Sequence, residues 1–225
     1  LETNPDDHSE SQLKFWKSLG INRLSIGIQS FIDRDLKLMN RAHNAAHARE
    51  CIKSAKAAGF EHLTIDLIYG IPNQTFKEWQ ENVELALGLE TEHISAYCLT
   101  VEEKTALHHQ VEKGLIQEKS DEEIEQEYLH LHKTLEAAGF IHYEISNYAK
   151  PGSTATHNSS YWKSQPYIGI GPSAHSFDGK NVRRWNVANN IAYMKFVEAD
   201  QSYFETESLS LEDQLNEYLM THLRT

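Results

Sequence analysis

Three things are scarce in this sequence, and each scarcity excludes something. There are only 2 cysteines in 225 residues, Cys51 and Cys98. They cannot make a disulfide framework, and their spacing matches no zinc or cluster motif. A reducing compartment, the cytoplasm, is the expected setting. Basic residues are also few: 21 Lys+Arg stand against 33 Asp+Glu, a formal net charge of −12. That balance argues against general nucleic-acid binding, which needs a basic face. No apolar run approaches the ~20 residues of a membrane span. No basic-then-apolar leader opens the chain, which begins Leu1-Glu2-Thr3-Asn4-Pro5 without Met. It stops at Leu223-Arg224-Thr225, inside a helical pattern. Both ends read as cut from something longer. What is present suits a folded domain: 40% hydrophobic and 10% aromatic residues exceed what a disordered chain carries.

A unit repeats along the first two thirds. Ser9-x-x-Gln12 reads as a capping box, followed by Leu13, Phe15, Trp16 and Leu19 at helical spacing and a stop at Gly20. Asn44 caps a second helix, with Ala48, Cys51, Ile52, Ala55 and Ala58 on one face and Gly59 as its stop. Thr75-x-x-Glu78 starts a third that buries Trp79, Val83, Ala86 and Leu87 and ends near Gly88. Ser120-x-x-Glu123 starts a fourth with Ile124, Tyr128, Leu131 and Leu135, stopped by Gly139. Strands are expected at Arg23–Gln29, His62–Tyr69, His93–Leu99 and Ile141–Asn147. Helix and strand alternating at this spacing predict parallel strands with right-handed crossovers, an α/β architecture. Barrel and open sheet are not separated by periodicity. Lys150–Asn190 breaks the rhythm and reads as a long loop of the functional kind. Asn189 or Asn190 then caps a helix carrying Ile191, Met194 and Val197, and Ser210–Arg224 is another amphipathic helix.

Parallel strands are buried on both faces, so polar residues within them are informative. Asp66 is a carboxylate in the apolar run HLTIDLIY. Either it is a buried aspartate paired for structural reasons, or it binds a ligand near the C-terminal end of its strand, where α/β sites sit. Gln29 ends the preceding strand on the side of Ser25 and Gly27, a small polar face with room for something other than side chains. Glu2 holds a similar strand-end position, and Arg41 in MNRAH precedes a helix; alone, Arg41 reads as a solvated surface residue. Together Glu2, Gln29, Arg41 and Asp66 suit a ligand with an amine, a carboxylate and a ribose.

Gly169-Ile170-Gly171-Pro172-Ser173-Ala174 matches G-x-G-x-x-A, but strand and turn follow it where a dinucleotide site needs a helix. Its glycines are expected to let backbone approach a ligand closely. Most histidines read as structural. His157 differs, lying in Thr156-His157-Asn158-Ser159-Ser160-Tyr161-Trp162. An imidazole can ligate iron axially and aromatics can cover a flat macrocycle. A loop histidine bonded to backbone is the plain alternative.

Seven ordered segments carry a family resemblance: GIQSF, MNRAH, DLIYGIPNQT, HISAYCLTVEEKT, YEISNYAKPG, HNSSYW and GIGPSAHSF. They resemble the oxygen-independent coproporphyrinogen III oxidase-like radical SAM proteins from Glu2 to about Thr225. That family has two branches. One is a coproporphyrinogen III oxidase/dehydrogenase, which oxidatively decarboxylates coproporphyrinogen III to protoporphyrinogen IX. The other is a haem chaperone type that binds haem and delivers it to target proteins. His157–Trp162 matches the H-N-x-x-Y-W signature of the chaperone branch, which is therefore favoured over decarboxylation.

The resemblance implies the later half of a partial, TIM-like (β/α) radical SAM barrel over 1–149, a barrel-closing and haem-motif loop region over 150–206, and the start of a C-terminal helical module over 207–225. It implies that Glu2, Gln29, Arg41 and Asp66 contact S-adenosylmethionine. His157, Tyr161 and Trp162 are implied at haem, and His175 at a further pocket position. The family's C-x-x-x-C-x-x-C motif for a [4Fe–4S] cluster is absent, as is its Gly-rich methionine-gripping loop, so the chain by itself is expected to be inactive. The implied partners are haem or porphyrin and a haem-receiving client protein, with membrane contact only through clients and no nucleic acid. A first strand without its upstream neighbour implies an exposed sheet edge and a homodimer through it. A metal-independent barrel enzyme for a phosphorylated sugar is a remaining alternative, but Gly70-Ile71-Pro72 lacks the phosphate-binding character it needs.

Overall fold

A computed structural model describes residues 1–225, and the chain divides into two compact units, Leu1–Thr154 and Ala155–Thr225. The first unit is a six-stranded open sheet in the order β1-β2-β3-β4-β6-β5. β1 (Glu2–Thr3), β2 (Arg23–Gln29), β3 (His62–Tyr69) and β4 (His93–Cys98) run parallel. The helices between them are α1 (Glu10–Ser18), α2 (Asp33–Leu38), α3 (Ala45–Ala57) and α4 (Phe76–Gly88). α5 (Ala106–Glu112) and α6 (Asp121–Ala137) follow β4.

The helix starts follow from local chemistry. Ser9, Thr75 and Ser120 each form a reciprocal capping box with the residue three positions on, and Asn44 caps α3 through its side chain. Each such cap stabilises its helix by about 1 kcal/mol. Gly20, Gly59 and Gly139 take positive φ just beyond their helices. The third helix departs from that pattern. Gly88 is inside α4, and Glu90 takes the left-handed turn at φ 50°. In α1 only Leu13 is fully buried, while Phe15 and Leu19 are exposed.

One face of the sheet is apolar. Leu24, Ile26, Ile28, Leu63, Ile65, Leu67, Ile94 and Ala96 pack against Leu13, Ala48, Ile52, Trp79, Val83, Leu131 and Leu135. Burying side chains of this size stabilises by about 1.5–3 kcal/mol each. With the apolar parity spent on helices, the opposite parity of every strand faces the other side of the sheet, where the candidate site lies.

Two expectations about the sheet are corrected. Ile141–Asn147 is not one parallel strand. It breaks into β5 (Ile141–Glu144) and β6 (Asn147–Ala149), a hairpin in which β6 runs antiparallel to β4. Ile145-Ser146 has room to turn because Glu144 Oε1 accepts the Ser146 amide. The first-strand edge is also not open along Arg23–Ile26. β1 pairs with β2 there, and the Leu1 ammonium and carbonyl extend the pairing to Arg23 and Ser25.

The second unit has a three-stranded antiparallel sheet, β7 (His175–Phe177), β8 (Val182–Asn186) and β9 (Phe204–Ser208), in that order. Its helices are α7 (Thr156–Trp162), α8 (Asn190–Glu198) and α9 (Leu211–His222). Asn189 caps α8 and Ser210 forms a capping box on α9. The stretch read as a continuous loop thus holds α7 and two strands. Gly169 lets backbone approach backbone closely: a Cβ there would lie 2.1 Å from the His175 carbonyl oxygen, next to the Tyr167–Phe177 bridge. Ile191, Met194 and Val197 of α8 are exposed within this unit. No helix of the chain is long and apolar enough to cross a membrane.

Candidate functional site

The polar face of the first sheet carries Glu2 and Asn4 from β1 and its continuation. β2 adds Ser25, Gly27 and Gln29; β3 adds Thr64 and Asp66; β4 adds His93, Ser95 and Tyr97. Asn147 and Glu144 come from the hairpin. Gln29 is bent into this face. The β2–β3 register shifts between Ile26 and Gln29, and Gln29 takes φ 67°, a conformation costing roughly 1–2 kcal/mol for a residue with a Cβ. Gly27 makes room for what converges there. A Cβ on Gly27 would stand 2.7 Å from Gln29 Nε2, 3.1 Å from an Arg41 Nη and 3.2 Å from Asn4 Oδ1.

Asp66 lies at the centre of the same face. Ser25 Oγ donates to its Oδ1 at 3.2 Å. Burial raises its pKa to about 6; Glu2 acts in the same direction, while Ser95, Ser25 and Arg41 oppose it. Glu2, Gln29, Arg41 and Asp66, selected from strand polarity and resemblance, are thus brought to one surface. His93 is a neutral neighbour: burial, helped by Arg23, lowers its pKa to about 4, and its Nε2 bonds the Tyr143 hydroxyl at 2.8 Å.

The loops at the strand ends are pinned by buried polar groups. After β2, Asp35 accepts from Ser30 at 2.9 Å and from Gln74 at 2.6 Å, and Asn82 holds the Phe31 amide at 2.8 Å. After β3, the Gly70 amide donates to Glu127 Oε2 at 2.8 Å, and Glu127 pairs with Lys119. His43 of MNRAH is buried against the Ile28 carbonyl at 3.0 Å, which anchors the segment bearing Arg41.

Sequence reasoning missed Ser95, Asn147, Glu144 and Glu127. The first two were within reach of the rule that found Asp66, since they are polar residues at inward strand positions. Glu144 was hidden by reading the hairpin as one strand. Glu127 was passed over among the many glutamates of α6, although it lies one turn before Leu131 on the buried stripe.

In the second unit, α7 places His157, Tyr161 and Trp162 within two turns. His157 is exposed, and its Nε2 lies 2.9 Å from the Tyr161 hydroxyl, with the rings edge-to-face at 5.0 Å. Tyr161 packs edge-on to Tyr167 at 4.9 Å, and the Arg224 guanidinium lies 5.2 Å from the Trp162 ring. The motif is therefore helical rather than a loop. His175, on β7, is exposed and 6.2 Å from the Trp185 ring.

Residues 1–86 match the model of the Radical SAM superfamily. The chain belongs to that superfamily, in its oxygen-independent coproporphyrinogen III oxidase-like group. It is 36% identical over all 225 residues to the heme chaperone HemW of Bacillus subtilis, covering 100% of this chain and 59% of that protein. It is 36% identical over 175 residues to the mitochondrial radical S-adenosyl methionine domain-containing protein 1 of Danio rerio, covering 78% of this chain and 39% of that one. The solved structure of coproporphyrinogen III oxidase (HemN) from Escherichia coli shares the fold. Its TM-score is 0.80 at 20% identity, over 99% of this chain and 54% of that one. The chain thus spans between 39% and 59% of the length of these relatives.

The residues present fit S-adenosylmethionine: carboxylates, an amide and a guanidinium converge above a glycine whose missing Cβ leaves the space. They do not fit an iron–sulfur cluster. Cys51 is buried in α3, where desolvation raises its pKa to about 12, and Cys98 ends β4. No three of the His, Cys, Asp and Glu side chains are grouped to hold a metal ion.

Proposed function

We propose that this chain is the S-adenosylmethionine-contacting and haem-binding portion of a radical SAM haem chaperone. The observation that carries the reading is α7: it presents the His157 imidazole to solvent in a complete H-N-x-x-Y-W motif, beside Tyr161. Names of relatives aligned over the full chain support it.

His157 offers a nitrogen lone pair to haem iron, and Tyr161 and Trp162 supply aromatic surface to the macrocycle. On the first unit, Arg41 pairs with the carboxylate of S-adenosylmethionine, Glu2 and Gln29 hydrogen-bond its polar groups, and Asp66 takes the ribose hydroxyls. Bound there, S-adenosylmethionine supplies the adenosyl group for radical chemistry. The chain's own contribution is orientation and exclusion of water, through the Gly27 cradle and the pinned strand-end loops. His175 belongs to a further pocket position. The protein acts in the cytoplasm and passes haem to a client protein, and meets membranes only through such clients.

The test is haem titration of the full-length protein, purified anaerobically, followed by the Soret band. His157→Ala is expected to lose at least about tenfold in haem affinity, equivalent to ~1.4 kcal/mol, and to change the axial ligation. Unchanged affinity and ligation reject the assignment. Turnover of coproporphyrinogen III by the same preparation would transfer the reading to the decarboxylating branch, whose substrate carries no iron.

A further inference from the structure

His157 and Tyr161 stand one turn apart on α7, so their side chains meet on one face of the helix. His157 Nε2 lies 2.9 Å from the Tyr161 hydroxyl, and the rings meet edge-to-face at 5.0 Å. The tyrosine ring is braced at that contact. It also packs edge-on against Tyr167 at 4.9 Å. Tyr167 is fixed in turn by main-chain bonds to Phe177 in both directions, each 3.0 Å long.

The two nitrogens of an imidazole are not equivalent. Nε2 is the one farther from the backbone, and it reaches a metal at the centre of a broad macrocycle without pressing the macrocycle against the histidine's own Cβ. Nδ1 adjoins the ring carbon that bears Cβ and is hindered. In this structure Nε2 is the nitrogen already engaged. If it accepts from the hydroxyl, the Tyr161 proton occupies its lone pair; if it donates, it carries a proton of its own. In both cases the bond to Tyr161 must break before iron can take Nε2.

We propose that Tyr161 is an internal competitor for the ligating nitrogen of His157: its hydroxyl holds Nε2 in the haem-free protein, gives way when iron binds, and takes the nitrogen back when haem leaves. The iron part of this inference rests on the reading of His157 given above; the hydrogen bond does not. One interaction replaces another. The Fe–Nε2 bond forms and the bond between Nε2 and the hydroxyl breaks. The freed hydroxyl turns to water, which it can reach because Tyr161 is 41% exposed. Where Nε2 carried the proton, that proton passes through solvent to Nδ1. A carrier that must surrender its cargo gains from such a competitor, which lowers the affinity and refills the site as iron departs. The opposite role has the opposite sign. If iron took Nδ1, Nε2–H would donate to Tyr161 and the tyrosine would orient the ligand; removing its hydroxyl would then weaken binding.

Tyr161→Phe separates the two, since it keeps the ring and deletes only the hydroxyl. In the haem-free full-length protein, nitrogen-15 spectra identify His157 by the signals lost in His157→Ala. Its Nε2 resonance is expected to shift in Tyr161→Phe, and an unshifted resonance overturns the proposal. In ferric haem titrations, Tyr161→Phe is expected to bind about fivefold more tightly, the scale of one hydrogen bond no longer competing. Its release of haem to excess apomyoglobin is expected to slow. Metal-free protoporphyrin IX has no iron to compete for Nε2 and is expected to bind parent and variant equally; a fivefold gain there too would place the effect in macrocycle packing and overturn the competitor role. Haem affinity that is unchanged or lower in Tyr161→Phe, with His157→Ala weakened, overturns that role and leaves the His157 assignment standing. Haem affinity indifferent to His157→Ala overturns the assignment itself, and the competitor role with it.

Discussion

Asp66 is set in the third strand of a sheet, paired on both sides, with buried Ser95, Asn147 and Glu144 continuing the same polar row. His157 stands exposed on a seven-residue helix, and its ring is bonded to one side chain, Tyr161, a turn away. The first arrangement holds groups in place by main-chain ladders and removes water, which a small charged ligand needs if charge-assisted bonds are to count. The second leaves the His157 imidazole exposed, which suits the haem role proposed for it. Asp66 in the first site is therefore coupled to stability and pH.

The largest expected effect comes from undoing the support under β3. Lys119→Ala leaves the buried Glu127 carboxylate, which holds the Gly70 amide, without its countercharge. A loss of about 3–5 kcal/mol in urea unfolding is expected. A loss below 1 kcal/mol would show that the strand end does not depend on this pair.

Asp66→Asn acts in the opposite direction. Its pKa in the fold is about 6 against an ordinary 3.8, so the charged form is penalised on folding. The contribution of Asp66 to stability is present below pH 3.8 and is lost as pH rises through 6. The variant is expected to be more stable than the parent by about 1–3 kcal/mol at pH 8, with the difference vanishing near pH 4. Denaturation midpoints at the two pH values check it, and a parent stability advantage at pH 8 would refute it.

Gly27→Ala separates packing from ligand. The atoms its Cβ meets are the ends of the Gln29, Arg41 and Asn4 side chains, which can move. Stability is expected to change by less than about 1 kcal/mol, while S-adenosylmethionine affinity falls about tenfold, by calorimetry. The smallest effect is on the second unit. His157→Ala is expected to leave the thermal midpoint unchanged, within roughly 0.5 kcal/mol of stability, because the ring is exposed. A larger loss would mean that the helix depends on the His157–Tyr161 bond and would erase the contrast between the two sites.

Much was decided within a few residues along the chain. The capping boxes at Ser9, Thr75, Ser120 and Ser210 start helices because donor and acceptor lie three positions apart. The glycine stops at 20, 59 and 139 need only a left-handed backbone. Strands β2, β3 and β4 were readable from apolar runs, and Asp66 and Gln29 from polarity inside them. Tertiary structure alone decided that Ile141–Ala149 folds back as a hairpin, that β1 covers the edge of β2, and that Glu127 rather than another glutamate of α6 is buried beneath Gly70. It also decided the direction of the Ser95–Asn147–Glu144 bonds. Ser95 and Asn147 are 52 positions apart, and no periodicity can specify which of two distant polar groups donates; that follows only when a third, the Glu144 carboxylate, is brought close enough to leave one orientation satisfied.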